Sequence, residues 1–180
     1  MLKNTTSLLF LFGGVALSLG ISITPIIREG STDILTLPFV RIGNGYYYFE
    51  TRKTANWFQA FESCRRMNAT LISFETMQKW NDITNYLELF NDEFTYWTSG
   101  TDLGEQSRHV WFGSGNPIAI NIWAPNEPDN LGKNQHCDQL GYRKPNTQDK
   151  KGLDDSECLR KNRFICEAPQ PYTASFVIWK

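Results

Sequence analysis

With 180 residues, 18 basic against 19 acidic side chains and 14% aromatics, the chain is large enough for one sizeable domain and too short for two of ordinary size. A formal charge of −1 with both signs interspersed announces no polyanion partner, which argues against a nucleic-acid role. Six tryptophans favour a packed fold over disorder.

The N-terminus reads MLKNTTSLLFLFGGVALSLGISI. Lys3 supplies a short positive start, residues 8–17 an apolar run, and Ser18-Leu19-Gly20 the small residues of a cleavage site. Residues 1–20 are therefore expected to be a signal peptide, and the mature chain to be secreted and extracellular, with no membrane contact once the signal is removed. The alternative is an anchor kept in the membrane, since apolar residues run on to about Ile23. Two glycines in the run and the cleavage site favour removal.

Residues 21–37 have no period and read as a lead-in to a domain spanning 38–169. FVRIGNGYYYFET predicts two strands about an Asn44-Gly45 turn. Thr54 stands where it can cap a helix through ANWFQAFESCRRM, with Trp57, Phe61 and Cys64 as the buried stripe. TLISF predicts a short buried strand. Thr76 then caps a second helix in which Trp80, Ile83, Leu87 and Phe90 recur at i, i+3, i+7 and i+10. Both stripes read as core. YWTSG and HVWFG read as strands, and RFICEA as the last strand of the compact part.

Between residues 114 and 152 the chain is dominated by Gly, Pro, Asn, Asp and Gln, a length of irregular chain that is usually functional or disordered. The basic residues of 143–151 read as a solvated loop rather than a partner-binding patch. The tail, 170–180, carries no expectation about docking. One sequon, Asn68-Ala69-Thr70, lies just past the first helix and marks Asn68 as a glycosylation site; Asn4-Thr5-Thr6 falls inside the signal.

The four cysteines are Cys64, Cys137, Cys158 and Cys166. In an exported chain an even count implies two disulfides, with three connectivities open. A zinc site is disfavoured, because there is no CxxC spacing and the only histidines are His109 and His136. His109 is expected at a strand edge and His136 at the rim of the long loop.

Two acidic pairs stand out: Glu127 and Asp129 around Pro128 in WAPNEPDNLGKNQHC, and Asp154 and Asp155 in KKGLDDSEC. If Cys137 pairs with Cys158, both pairs come to one place, and four carboxylates converge only around a cation. Calcium suits such a site, since it takes six to eight hard oxygens in irregular geometry; magnesium demands a tighter octahedron. The bland alternative is that the acids are solvated turn residues.

The helix with its cysteine, NWFQAFESCRRMNATLISF, together with YWTSG, WAPNEPDN, the ten-residue step from Glu127 to Cys137 and CLRKNRFICE, resembles the C-type lectin-like domain family over most of residues 38–169. The resemblance is to short-form, invertebrate-like secreted members, since the extra N-terminal cysteine pair of long forms is absent. It implies an α+β fold with two helices, small antiparallel sheets and a long calcium-binding loop. It also implies the disulfides Cys64–Cys166 and Cys137–Cys158, and a cis peptide bond before Pro128. One calcium would be held by Glu127, Asp129, Gln135, Asp154 and Asp155, and Glu127, Asp129, Gln135 and Asp154 would also meet the hydroxyls of a sugar bound to that ion. A second family calcium site would use acids near Asp102 and Glu105; Asn130 and His136 stand where further acids often lie, so its occupation is not expected.

The departures matter for the ligand. The triplet is Glu-Pro-Asp where the family commonly has Glu-Pro-Asn or Gln-Pro-Asp, Gln135 replaces a Glu, and Asp154 replaces an Asn behind Leu153 where the family has Trp. Charge for an ion survives, but three carboxylates accept hydrogen bonds and only the Gln135 amide donates. Leu131-Gly132-Lys133 offers no aromatic for stacking on galactose, so mannose- or fucose-type ligands are favoured over galactose. The expected function is a secreted, calcium-dependent carbohydrate-binding lectin without catalysis. Its partners would be microbial or cell-surface glycans in innate immunity, and homo-oligomerisation is left open. A protein-binding member of the same fold with a degenerate sugar site is the alternative. A glycosidase using two of these carboxylates is disfavoured, because ion-bound carboxylates are poor proton donors and no nucleophile arrangement lies beside them.

Overall fold

The computed structural model describes residues 38–89, 94–141 and 152–170, and the backbone of 23–29 and 172–178. The signal segment 1–20 with Asn4, most of the lead-in, Phe90 and the basic stretch 143–151 lie outside the described residues. Strand β1 (Ile23–Glu29) pairs antiparallel with the last strand, β10 (Tyr172–Ile178), from Ile23↔Ile178 to Glu29↔Tyr172. This ribbon belongs to a unit of its own, apart from the unit Ser31–Pro171. Neither segment reads as a strand in the sequence, because a ladder between the two ends of a chain leaves no local period to detect.

In the larger unit, β2 (Val40–Ile42) returns as β3 (Gly45–Ala55), with Ile42 paired to Gly45. The turn therefore centres on Gly43-Asn44, one residue before the expected Asn44-Gly45. Gly43 supplies the left-handed backbone, at φ +56°, and Gly45 is released into the strand.

Helix α1 (Trp57–Arg66) begins at Asn56 rather than Thr54, which stays in β3. The Asn56 side chain accepts from the Gln59 N–H at 2.8 Å while Gln59 Oε1 accepts from the Asn56 N–H at 3.3 Å, a reciprocal cap that Thr54 cannot make. Trp57, Ala60 and Cys64 are its buried residues. Phe61 is only half-buried and stacks on Trp57 at 5.8 Å. Helix α2 (Met77–Glu88) is capped by Thr76 as expected, its Oγ1 accepting from the Lys79 N–H at 3.2 Å, and buries Trp80, Ile83, Thr84 and Leu87.

The remaining strands are β4 (Thr70–Leu71), β5 (Thr95–Thr101), β6 (Val110–Trp111), β7 (Gln135–Gly141), β8 (Gly152–Glu157) and β9 (Asn162–Glu167). They join one sheet in the order β2-β3-β9-β5-β7-β8, with β4 on β9 and β6 on β5; only β5·β9 is parallel. Of TLISF, only Thr70–Leu71 enter the ladder, while Ile72 and Phe74 are fully buried beyond it. Strand β7 occupies ground that reads as irregular chain, and β8 begins where that stretch ends. Cys137, Asp138, Gln139 and Leu140 are buried in succession in β7, so the two-residue alternation of a half-exposed strand is missing.

Trp97, Trp111, Phe74, Ile72, Leu140 and Ile165 fill the core. The disulfides are Cys64–Cys166, tying α1 to β9 over 102 residues, and Cys137–Cys158, spanning 21 residues beneath the loop that leads into β7. On a chain-entropy account such closures stabilise by about 4.7 and about 3 kcal/mol. No helix among the described residues is long and apolar enough to cross a membrane.

Candidate functional site

The antiparallel pairing of β7 with β8 sets Gln139 opposite Asp154 and Asp138 opposite Asp155. Over this pair lies the 123–134 loop, anchored where the Ala124 N–H donates to the Leu153 carbonyl at 2.8 Å and the Leu153 N–H donates to the Ile122 carbonyl at 2.8 Å. The Glu127–Pro128 bond is cis, and Asn126, Asn130 and Lys133 take left-handed backbone conformations. Asparagine tolerates that region best among residues with a side chain, which accounts for two of the three. Asp155, 1% exposed, receives the Asp129 N–H on Oδ1 at 3.0 Å and the Asn130 N–H on Oδ2 at 2.9 Å. Asp155 is thus the peg on which the loop hangs.

One carboxylate oxygen each of Glu127, Asp154 and Asp155 lie within 4.8 Å of one another. Asp129 is not in that set, because its Oδ1 turns back to accept from the Leu131 N–H at 2.9 Å. The same N–H donates to Gln135 Oε1 at 2.6 Å, so Gln135 is drawn to the loop by its oxygen and keeps its Nε2 for donation. Gln135 also donates its backbone N–H to Asn130 Oδ1 at 3.1 Å.

The arrangement concentrates negative charge that it does not neutralise. Burial, with the charges of Asp154, Asp129 and Asp155, pushes the Glu127 carboxyl up to about 7. Burial also raises Asp154, joined by the charges of Asp155 and Asp129 and opposed by a hydrogen bond from Gln139. Glu127 Oε2 and Asn130 Nδ2 are buried without a partner. An orphaned carboxylate oxygen among acids, in an all-oxygen donor set, fits a hard divalent cation. Glu127, Asp154 and Asp155 are the residues that could hold one.

A second polar cluster adjoins the first and was not legible as a unit. His109 Nδ1 meets Asp138 Oδ1 at 2.9 Å, its Nε2 lies 3.7 Å from Asp102 Oδ2, and His136 Nδ1 meets Asp102 Oδ1 at 2.8 Å. The Ser107 N–H donates to Asp102 Oδ2 at 2.7 Å. Burial works against the His109 charge, but the Asp138 hydrogen bond and the charges of Asp138, Asp102 and Asp155 outweigh it and hold the imidazole above its ordinary value. Asp138 is fully buried, and a Cβ on Gly100 would collide with its Oδ2. His109 directly precedes β6, at the strand edge where it was expected, and buries its side chain to 6% exposure with its ring edge-on to Trp123. His136 is half-buried at the rim, and Glu105 pairs with Arg108 on the surface.

The sequence reading missed Asp102 and Asp138 as partners of the histidines, and missed Gln139 altogether. The available signal was the polar pair Asp138-Gln139 wedged between the apolar Cys137 and Leu140. Asn68 is exposed just beyond α1, in a left-handed conformation at φ 55°.

Comparison with known proteins gives this fold its family. A family model described as the lectin C-type domain matches residues 53–168. The chain is 37% identical to C-type lectin 37Da of Drosophila melanogaster, the match covering all of both chains. Among solved structures it resembles the carbohydrate-recognition domain of the mouse scavenger receptor C-type lectin, with a TM-score of 0.63 and 21% identity over 75% of this chain and 97% of that one. The herring type II antifreeze protein is similar to the same degree in shape, with a TM-score of 0.61 and 20% identity over 75% and 98%. The chain belongs to the C-type lectin domain family.

Proposed function

We propose that this protein is a secreted, calcium-dependent carbohydrate-binding lectin without catalytic activity. The observation that carries the reading is the orphaned Glu127 Oε2 within a cluster of three carboxylates that no basic side chain among the described residues neutralises at contact. Glu127, Asp154 and Asp155 would hold the ion, with Asp129 and Gln135 closing the loop side. When bound, calcium supplies a Lewis-acidic centre for two vicinal hydroxyls.

The chain's own groups decide which hydroxyls fit. Internal donors already occupy Asp129 Oδ1, Asp154 Oδ2 and both oxygens of Asp155. This trims the excess of acceptors apparent in the sequence. What remains is Glu127, Asp129 Oδ2 and Asp154 Oδ1 as acceptors, with Gln135 Nε2 and the buried Asn130 Nδ2 as donors. Leu131, 71% exposed beside the triplet, offers no aromatic face, which favours mannose- or fucose-type sugars over galactose. The reading includes a signal at 1–20, a recognition domain over 38–169 and a glycan on Asn68. Microbial or cell-surface glycans are the partners it implies.

A glycan array probed with the mature chain, once in calcium and once in EDTA, tests it. Binding that vanishes in EDTA supports the lectin and names the sugar. A second reading, a protein-binding module, is favoured by the short supply of unengaged side-chain donors at the site, Gln135 Nε2 and the buried Asn130 Nδ2, and by the antifreeze protein's use of the same fold for another purpose. No glycan bound by a folded sample in either buffer would select it.

A further inference from the structure

Gln139 lies in the middle of a chain of side chains that crosses four strands. Thr95 Oγ1 on β5 donates to Asn162 Oδ1 on β9 at 3.0 Å, Asn162 Nδ2 donates to Gln139 Oε1 on β7 at 2.5 Å, and Gln139 Nε2 donates to Asp154 Oδ2 on β8 at 2.7 Å. The direction of every bond follows from its last member. An ionised Asp154 only accepts, so Gln139 must present its nitrogen; its oxygen then faces Asn162, which must present its own nitrogen in turn. Gln139 and Asn162 are 3% and 5% exposed, so water cannot replace a lost partner.

We propose that Gln139, oriented by Asn162 and Thr95, is a positioning residue that fixes which oxygen Asp154 offers to the cation. The proposal rests on the calcium reading of the site. With Oδ2 held by Gln139, Asp154 keeps Oδ1 for the ion; without that bond the carboxylate turns about its own axis and neither oxygen is preorganised. Partners behind a metal ligand typically account for about 10–100-fold in metal affinity.

The polarity of the chain supplies a test that a merely structural role would fail. Asn162→Asp replaces a donor with an acceptor. Gln139 must then turn its nitrogen to residue 162 and its oxygen against Asp154, although residue 162 reaches Asp154 only through Gln139. Calcium titration of the full chain by calorimetry, with melting in EDTA as a check on folding, should show Asn162→Asp and Gln139→Leu binding calcium roughly 10–100-fold more weakly than wild type. In an Asp154→Ala background, Gln139→Leu should change the residual affinity no further. Should either substitution prevent folding, Thr95→Val removes only the outermost donor and should weaken calcium by about threefold. Wild-type affinity in these variants, or an equal loss with Asp154 absent, would overturn the proposal. A wild-type chain that takes up no calcium would overturn the calcium reading, and this inference with it.

Discussion

Around Asp102 and Asp138 the buried acids face imidazoles, whereas around Glu127, Asp154 and Asp155 they face one another. In the first cluster His109 lies between two carboxylates, which hold it toward its charged form, and His136 meets one of them, so the fold carries its own partners for these acids. In the second, Arg160 acts on Asp154 only through its charge, and Glu127 Oε2 meets nothing. Asp138 also keeps one unpartnered oxygen, but its other oxygen is bonded to His109. The two clusters adjoin, since Asp138 and Asp155 are paired across β7 and β8. The difference teaches that acid density alone is no sign of a cation site; acids whose neutralising partner the chain does not supply are.

The largest effect should come from breaking the self-neutralised cluster. His109→Ala leaves Asp102 and Asp138 buried without their shared cation and removes the Trp123 contact, at a cost of about 3–5 kcal/mol in urea denaturation. That cost should be the same in calcium and in EDTA. A loss that appears in only one of the two buffers would show that the clusters are not independent.

Next is Glu127→Gln, which should abolish the calcium-induced rise in Tm while stabilising the ion-free protein by about 1 kcal/mol, because it removes an uncompensated charge. Destabilisation of the ion-free protein would instead mean that Glu127 already has a partner in the fold.

The pH profile separates the clusters more finely. The Glu127 carboxyl is raised from 4.5 to about 7, so the folded protein binds more protons than the unfolded chain across that window. Ion-free stability should therefore fall as pH rises through it. Calcium, by holding Glu127 ionised, should remove that decline, and its affinity should weaken as pH drops below about 7. His109, also raised, contributes stability that is present below 6.5 and lost as pH climbs through its raised value, in either buffer. Identical profiles in calcium and EDTA would erase the distinction. The smallest effect belongs to the exposed Arg66–Glu62 pair on α1: Glu62→Ala should cost under about 0.5 kcal/mol in both buffers.

Much of this molecule was legible in its residues because the relevant signals are local. The α2 cap at Thr76, the buried Trp80, Ile83 and Leu87 of that helix, and Trp57 and Cys64 of α1 follow from helical spacing along the chain. The family resemblance located the disulfides and the acidic loop, since cysteine spacing and an acid–proline–acid triplet survive as strings. The displaced α1 cap and hairpin turn were shifts of one or two residues between neighbouring candidates, decided by the reciprocal bond that Asn56 closes with Gln59 and by the left-handed backbone of Gly43.

What escaped the sequence lies across strands. Nothing along the chain says that Gln139 stands opposite Asp154, that His109 reaches Asp138, or that residues 23–29 pair with 172–178. These are encounters between segments far apart in sequence, and a polar residue reads as surface until its partner is known. Composition and spacing could determine that carboxylates gather here. Only the folded arrangement decides which are answered from within and which are left for an ion, because that depends on where each donor ends up in three dimensions.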